Sequence, residues 1–356
     1  GGGRLDAVID DETVSVTLDS AEVRAGIDGN KAVAQAGFSL GNDAGGAELA
    51  LTIDDIGNEH SAVTGSGSIR FKDLALLGVF TPEISDPAGL LDGQLTVSGT
   101  LDQPEFSGGV DVTDASFGVR RLGINVSQFG ARIEQLQPGK LRLDGSARSG
   151  DGELSIAGEV SVSAGQGVRT EVSLTGENFE LLRIPNWSLS ASPTIAVIFD
   201  DGAARVSGEL AIPAADITLK EIPETAVKSS PDAVVHRPES DDPAAIRRID
   251  VDVRATLGDD VQLAAFGLTT AMTGSIRVQG GTHSPYTGLG RLTLQEGRYE
   301  AYGQELEIER GELIFNGALD NPQLDVRAVR RTSDVTAGIQ LSGTPAQLTS
   351  VVFSEP

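Results

Sequence analysis

No cysteine occurs anywhere in the 356 residues. Disulfides, thiol catalysis and thiolate metal sites are therefore excluded, while a reducing compartment and the periplasm both stay open. Aromatic residues are only 4% of the chain, with Trp187 the single tryptophan and Met272 the single methionine. Any core must then be built from Val, Leu, Ile and Ala. Basic residues are scarce as well: 27 Lys and Arg stand against 52 Asp and Glu, a formal charge of -25. Such a chain repels phosphate backbones and anionic headgroups at long range, which excludes nucleic acid as the main partner. No stretch approaches the roughly 18 apolar residues of a membrane span, and no basic segment precedes an apolar run at the start. The opening "GGGRLD" has no initiator methionine, which predicts a fragment or processed form from which any anchor or targeting segment is missing.

What the chain does have is 39% hydrophobic residues, 44 glycines and 15 prolines, enough apolar matter for a packed interior. Apolar residues recur with period two through "LDGQLTVSGTL", "GDGELSIAGEVSVS", "TEVSLTG" and "RLTLQEGRYEAYG", the pattern of half-buried strands. A helical pattern shows only in "FKDLALLGVF", Phe71 to Phe80, which Pro82 would end. Three times the chain writes glycine, then apolar residues two and four positions on, a second glycine at six and a proline at eleven. The copies are Gly93-Leu95-Val97-Gly99-Pro104, Gly274-Ile276-Val278-Gly280-Pro285 and Gly311-Leu313-Phe315-Gly317-Pro322. A partial copy sits at Gly152-Leu154-Ile156-Gly158. The frame is an internal repeat, irregular in its spacing along the chain.

A second unit places apolar or small residues at positions 0, 2, 5 and 7. Its copies are Ile69-Phe71-Leu74-Leu76, Val110-Val112-Ala115-Phe117, Leu210-Ile212-Ala215-Ile217, Leu292-Leu294-Gly297-Tyr299 and Leu306-Ile308-Gly311-Leu313. Either a two-residue hairpin turn or a bulged corner after the third residue keeps all four side chains on one face. The rhythm breaks from Glu221 to Arg248, where four prolines and clustered charges read as a long loop or linker. The chain accordingly divides into a repetitive segment 1–220, a linker 221–248 and a second repetitive segment 249–356.

Residues with catalytic chemistry form no constellation. His60, His236 and His283 share no spacing from which a zinc site or a Ser-His-Asp order could be built. The acidic pairs, such as Asp54-Asp55 and Asp259-Asp260, lack calcium-loop spacing and suit turns. "GSGS" at Gly65–Ser68 and "GGTHSP" at Gly280–Pro285 are followed by no helix that could hold a phosphate. Trp187 fits packing at a strand end better than a ligand contact. Arg327, Arg330 and Arg331 could meet an anionic headgroup or a partner's acidic loop, or simply guard an exposed strand. One-faced strands remain, and stacking them makes either a closed dry core or an open apolar trough.

The last hundred residues, "GLGRLTLQEGRYEAYGQELEIERGELIFNGALDNPQLDVRAVRR" and then "VTAGIQLSGTPAQLTSVVFSEP", resemble the C-terminal domain of the TamB family. The likeness rests on Gly297 and Tyr299, the Gly311–Pro322 frame, the strand Leu324-Asp325-Val326-Arg327-Ala328, Gly343-Thr344-Pro345 and Ser354-Glu355-Pro356. It extends upstream to about Ala191 and is diffuse before that. The resemblance implies an all-β, elongated, curled, β-solenoid-like sheet, a β-taco or repeating β-groove with a hydrophobic concave interior. It also implies a periplasmic place, a tether to the inner membrane through an N-terminal segment absent here, and an outer-membrane barrel partner of the TamA type. No catalytic residues, metal or cofactor come with it.

The expectation is a non-enzymatic groove that shields phospholipid acyl chains between the two membranes. Leu95, Val97, Val110, Val112, Leu154, Ile156, Leu210, Ile212, Ile276, Val278, Leu292, Leu294, Leu313 and Phe315 would line it. The alternative is a scaffold for assembly and secretion that receives unfolded strands of outer-membrane or autotransported proteins by β-augmentation. A polysaccharide-acting solenoid enzyme would need carboxylates at catalytic separation on one face, and none can be assigned.

Overall fold

The alternating segments become long strands. The computed structural model describes residues 2–9, 12–41, 44–58, 60–75, 81, 83–137, 139–163, 167–200, 202–219, 248–265, 267–301 and 303–356. Two units divide the chain, Gly1–Phe179 and Glu180–Pro356. The first contains β1 (Gly3–Ile9), β2 (Glu12–Asp28), β3 (Lys31–Leu40), β4 (Gly45–Asp54), β5 (Ala62–Phe71) and β6 (Ile84–Gly99). It continues with β7 (Pro104–Val119), β8 (Ile124–Gln137), β9 (Lys140–Ser149), β10 (Gly152–Ser163) and β11 (Gly167–Glu177). Each pairs antiparallel with the next, from β1–β2 through β10–β11.

A short β12 (Phe179–Ile184) leads to the second unit's β13 (Trp187–Asp200), β14 (Ala203–Leu219), β15 (Arg248–Ala265), β16 (Leu268–Gly281) and β17 (Ser284–Ala301). Then come β18 (Gln304–Ala318), β19 (Gln323–Arg331), β20 (Thr336–Thr344) and β21 (Gln347–Glu355). Consecutive strands from β13 to β21 pair antiparallel, with one exception: β14 and β15 run parallel, Ala203 opposite Arg248 and Leu219 opposite Ala265. In neither unit does the last strand pair with the first among the described residues, so each is an open sheet.

The parallel pair explains the length of the proline-rich interruption. From Leu219 the chain has to return the length of β14, roughly 55 Å at about 3.3 Å per residue, before β15 can begin beside Ala203. Residues 220–247, the expected linker almost in full, lie outside the described residues; fully extended they reach up to roughly 90 Å. The expected helix at Phe71–Phe80 is described only through Ala75. There Leu74 and Ala75 form a 3₁₀ turn, the Ala75 amide donates to Asp73 Oδ1 at 2.9 Å, and Leu74 is buried.

The glycine-to-proline frame is the join between two strands. β6 ends on Gly99 and β7 begins on Pro104; β16 ends on Gly281 beside Ser284 and Pro285; β18 ends on Ala318, just before Pro322 and β19. Gly99 turns the chain at φ 94°, a region that favours glycine, and proline tolerates a strand start because its missing N–H faces no partner there. In two of the three copies the frame's first glycine has a packing reason, while Gly274 sits at φ 122°. A Cβ on Gly93 would stand 2.9 Å from Ile69 Cγ2 and 3.0 Å from Val110 Cγ2, and one on Gly311 would stand 2.7 Å from Leu294 Cβ.

Four of the five copies of the 0-2-5-7 unit are bulges inside one continuous strand; the first leaves β5 at Phe71, with Leu74 in the 3₁₀ turn and Leu76 outside the described residues. Register shifts fall at Val112/Ala115 in β7, Ile212/Ala214 in β14 and Ile308/Arg310 in β18. Asp114 and Glu296, in β7 and β17, have φ of 49° and 48°. In the second unit the shifts at Ser190/Ser192, Ile212/Ala214, Leu257/Gln262, Thr269/Ala271 and Ile308/Arg310 fall on neighbouring strands at adjoining positions. They form a crease across the strands, and bulges bend and twist a sheet locally. Side chains from both sides of it converge on the buried cluster Ala215, Val261, Met272 and Leu294: Ile212, Leu257 and Leu313 from one side, Ile217, Leu263 and Ile308 from the other. Thr270, 2% exposed on the crease, satisfies its hydroxyl by donating to backbone carbonyls, with Gln295 O at 3.0 Å. Among the described side chains only Ser149 Oγ is buried without a partner.

Candidate functional site

Strand alternation sorts the side chains into an apolar and a polar face. In the first unit the apolar face can be followed strand by strand through cross-strand partners. One row runs Ile69, Gly93, Val110, Ile133, Leu143, Gly158, Val172. A neighbouring row runs Ala36, Leu49, Gly67, Leu95, and further along come Val112, Ala131, Gly145, Ile156, Leu174 and the pair Ala147–Leu154. In the second unit the rows are Leu210, Ala255, Ile276, Gly290, Phe315 and Ile212, Leu257, Gly274, Leu292, Leu313, Leu324. Val253 faces Val278, and Met272 faces Leu294. All the expected lining residues, Val97 two positions beyond Leu95 included, thus lie on the apolar face of their own unit.

Their accessibility differs along the face. Leu292 and Leu294 are buried beside the crease of the second unit, and Phe315 is buried farther along β18 over Gly288. Leu95 is 43% exposed, and Val97, Val110, Val112, Leu154, Ile156, Leu210, Ile212, Ile276, Val278 and Leu313 are half-buried. Among the most accessible apolar side chains of the first unit are ones the repeat frames do not reach: Val23 at 81%, Ile27 at 75% and Leu49 at 52%. Plain period-two alternation in "AEVRAGID" was the signal for Val23 and Ile27. Here the apolar face holds a recess of about 340 Å³ lined by Ala25, Ile27, Ala32, Ala34, Leu51 and Ile53. β3, β4 and β5 pair without a register shift, so no crease folds this part closed.

The polar face is a lattice of ion pairs. One row reads Arg70, Asp92, Asp111, Arg132, Asp144. Its two adjacent aspartates are each held by the arginine on the far side, Arg70 Nε donating to Asp92 at 2.6 Å and Arg132 Nε to Asp111 at 2.5 Å. In the second unit Arg277 pairs with Asp252 at 2.6 Å, Arg291 with Glu312 at 3.1 Å and Arg310 with Asp325 at 3.2 Å. Hydrogen bonds from Arg277 and Lys140 hold the Asp252 and Glu159 carboxyls below their ordinary range. Exposed pairs of this kind contribute about 0–1 kcal/mol each; their larger effect is to oppose any register in which the apolar face would turn to solvent. A second recess of about 600 Å³ has a mixed lining, with Ser20, Gln35, Ser66, Gln94 and Thr96 beside the charged Glu22, Arg24 and Glu48.

Residues considered for catalysis stay apart. Among the described residues no group of three or more His, Asp or Glu is placed to hold a metal. Trp187 stands at the start of β13 opposite Ile217 and is 41% exposed. His60 sits in the β4–β5 loop, His283 in the β16–β17 turn, and His236 lies outside the described residues.

An open, bulge-creased β-sheet with one apolar and one ion-paired face in each unit defines a class of all-β, open-sheet repeat proteins. Comparison gives the family: residues 142–356 match the model described as "TamB C-terminal domain" and residues 1–112 the one described as "TamB, N-terminal domain". The chain belongs to the TamB family. It is 27% identical over 287 residues to a protein of Haemophilus influenzae named "Translocation and assembly module subunit TamB", a match covering 75% of this chain and 22% of that relative. The chain therefore spans about a fifth of the length of the curated relative it matches.

Proposed function

We propose that the chain is a section of an envelope-spanning, non-enzymatic groove whose apolar face shields phospholipid acyl chains in passage between inner and outer membrane. It works in the periplasm as part of a translocation and assembly module with an outer-membrane barrel partner of the TamA type. The observation that carries the reading is the row Ile69 to Val172, apolar or glycine at every strand from β5 to β11, backed by a charged opposite face. Each methylene buried against such a face contributes about 0.8 kcal/mol, so a ten-carbon contact holds an acyl chain with no specific polar contact.

A photoreactive residue placed in cells at Val23, Leu49 or Leu95, with Asp92 and Arg132 on the polar face as controls, tests the proposal. Lipid adducts confined to the apolar positions, and lipid extracted with the purified protein, are expected. A lipid-free protein with no lipid adducts sinks the reading. Adducts to nascent outer-membrane proteins at the same positions would favour the strand-receiving scaffold instead.

A further inference from the structure

We propose that Arg330 and Tyr299 seat the phosphate of a glycerophospholipid at the edge of the second unit's apolar face. This rests on the acyl-chain reading above and adds a polar anchor to it.

Arg327, Arg330 and Arg331 are neighbours in sequence, but β19 divides them between faces. β19 pairs with β20 in unbroken register from Leu324 to Arg331, so Arg327 and Arg331 fall on the polar face and Arg330 falls on the apolar face with Leu324, Val326 and Ala328. The two on the polar face are neutralised. Arg327 donates to Glu309 at 2.7 Å and to Glu355 at 3.1 Å, and its guanidinium lies 4.0 Å from the centre of the Phe353 ring; Arg331 also pairs with Glu309. Arg330 is exposed and has no hydrogen bond or ion pair among the described residues.

Its position is singular. In the regular ladders of β13 to β21 the other arginines alternate onto the polar face with Asp250, Asp252, Glu312 and Asp325, and Arg330 is the one charged residue that the register puts among the apolar rows. Beside it stand Leu306 and Ala328, buried with Ile339 in a cluster on which Tyr299 packs. Tyr299 is the cross-strand partner of Leu306 on β17, and Ile308 and Glu307 of β18 are partners of Ala328 and Val329 on β19. Tyr299 and Arg330 are therefore two strand spacings apart, roughly 10 Å at the backbone, with Leu306 as the apolar floor between them. Like Arg330, the Tyr299 hydroxyl has no partner among the described residues.

A planar guanidinium that donates two parallel hydrogen bonds matches a phosphodiester, and a phenol supplies a third donor from the opposite side. Charge complementarity decides the ligand class. A chain of net charge -25 repels anions at long range, so a local unpaired cation fits an anion delivered by another attraction, and the adjoining apolar rows supply one for acyl chains. A free phosphate gains no such help.

Titration calorimetry on the full chain, with dihexanoyl phosphatidylglycerol, uncharged dihexanoylglycerol and inorganic phosphate as probes, tests the inference. The phospholipid is expected to bind about fivefold more tightly than the diacylglycerol. R330A should erase that difference without changing diacylglycerol affinity, R330K should keep part of it, and Y299F should weaken phospholipid binding about twofold. Unchanged discrimination in R330A overturns the inference. So does equal loss of both lipids in a folded R330A, which would mark a structural role, and so does inorganic phosphate binding as tightly as the phospholipid. If neither lipid binds the wild-type chain, the acyl-chain reading fails first, an outcome distinct from diacylglycerol binding without discrimination.

Discussion

Replacing Gly311 with alanine isolates the packing that closes the crease. Its backbone has an ordinary φ, so the effect is steric: the new methyl would stand 2.7 to 2.8 Å from Leu294 Cβ, Cγ and Cδ1, and Leu294 is only 6% exposed. Overpacking of this kind costs about 1–3 kcal/mol, while alanine recovers about 0.5–1 kcal/mol of the backbone entropy that glycine loses in a strand. A net loss of about 1–2 kcal/mol is expected. Leu294→Ala alone should cost about 2–5 kcal/mol through the cavity it leaves. Together the two changes should cost at least ~1 kcal/mol less than their sum, because the methyl enters the space that leucine vacates. Urea unfolding followed by emission of Trp187, on β13 of the same unit, measures all four corners of the cycle. Gly317→Ala is the control. No atom lies within 4 Å of its new Cβ, but φ is 151°, so its cost is conformational and should add to that of Leu294→Ala. Additivity for Gly311 with Leu294, or a Gly311→Ala protein as stable as wild type, would refute the account of the crease.

Other consequences can be checked separately. Glu296 sits at φ 48° in the β17 bulge; Glu296→Asn should leave stability equal or higher, and Glu296→Val should lose about 1–2 kcal/mol, measured by the same unfolding curves. Because the chain has no cysteine, single cysteines report accessibility directly: Val23→Cys should react with a maleimide as fast as a free peptide thiol, and Val261→Cys, at a site 1% exposed, should react orders of magnitude more slowly. Leu95→Glu should abolish acyl-chain binding while the protein stays folded, whereas Leu294→Glu, burying a charge, should unfold the second unit, as circular dichroism would show. The Asp252 and Glu159 carboxyls titrate below their ordinary range because Arg277 and Lys140 donate to them. The stability they contribute is therefore present at neutral pH and lost as pH falls through their folded-state values. Arg277→Ala should flatten that acid limb in denaturation midpoints measured against pH.

Much of the fold could be read before any coordinates. Period-two alternation located the strands and gave the face of each residue, so Ile276 and Val278, or Leu154 and Ile156, were placed with their neighbours correctly. The glycine-to-proline frame turned out to mark strand joins, the first glycine of two copies, Gly93 and Gly311, small because Ile69, Val110 or Leu294 occupies the space, and that of the third, Gly274, held at a φ of 122°. Local pattern could not separate a hairpin turn from a bulge at Thr113-Asp114 or Gln295-Glu296, because both keep the side chains on one face. Nor could it show that β14 and β15 run parallel, since direction depends on where the chain returns after residues 220–247.

The amino-acid sequence by itself determined an all-β chain with one apolar and one charged side, free of thiol chemistry, because composition and alternation are properties of each strand alone. Only the tertiary structure decided which apolar residues are buried and which are open, because burial depends on whether bulges on neighbouring strands align into a crease, as they do around Val261 and Leu294 and do not around Val23 and Leu49. It also decided that Arg327 and Arg331 are spent on Glu309 and Glu355 while Arg330 faces the apolar rows, a distinction that three nearby arginines in a sequence do not carry.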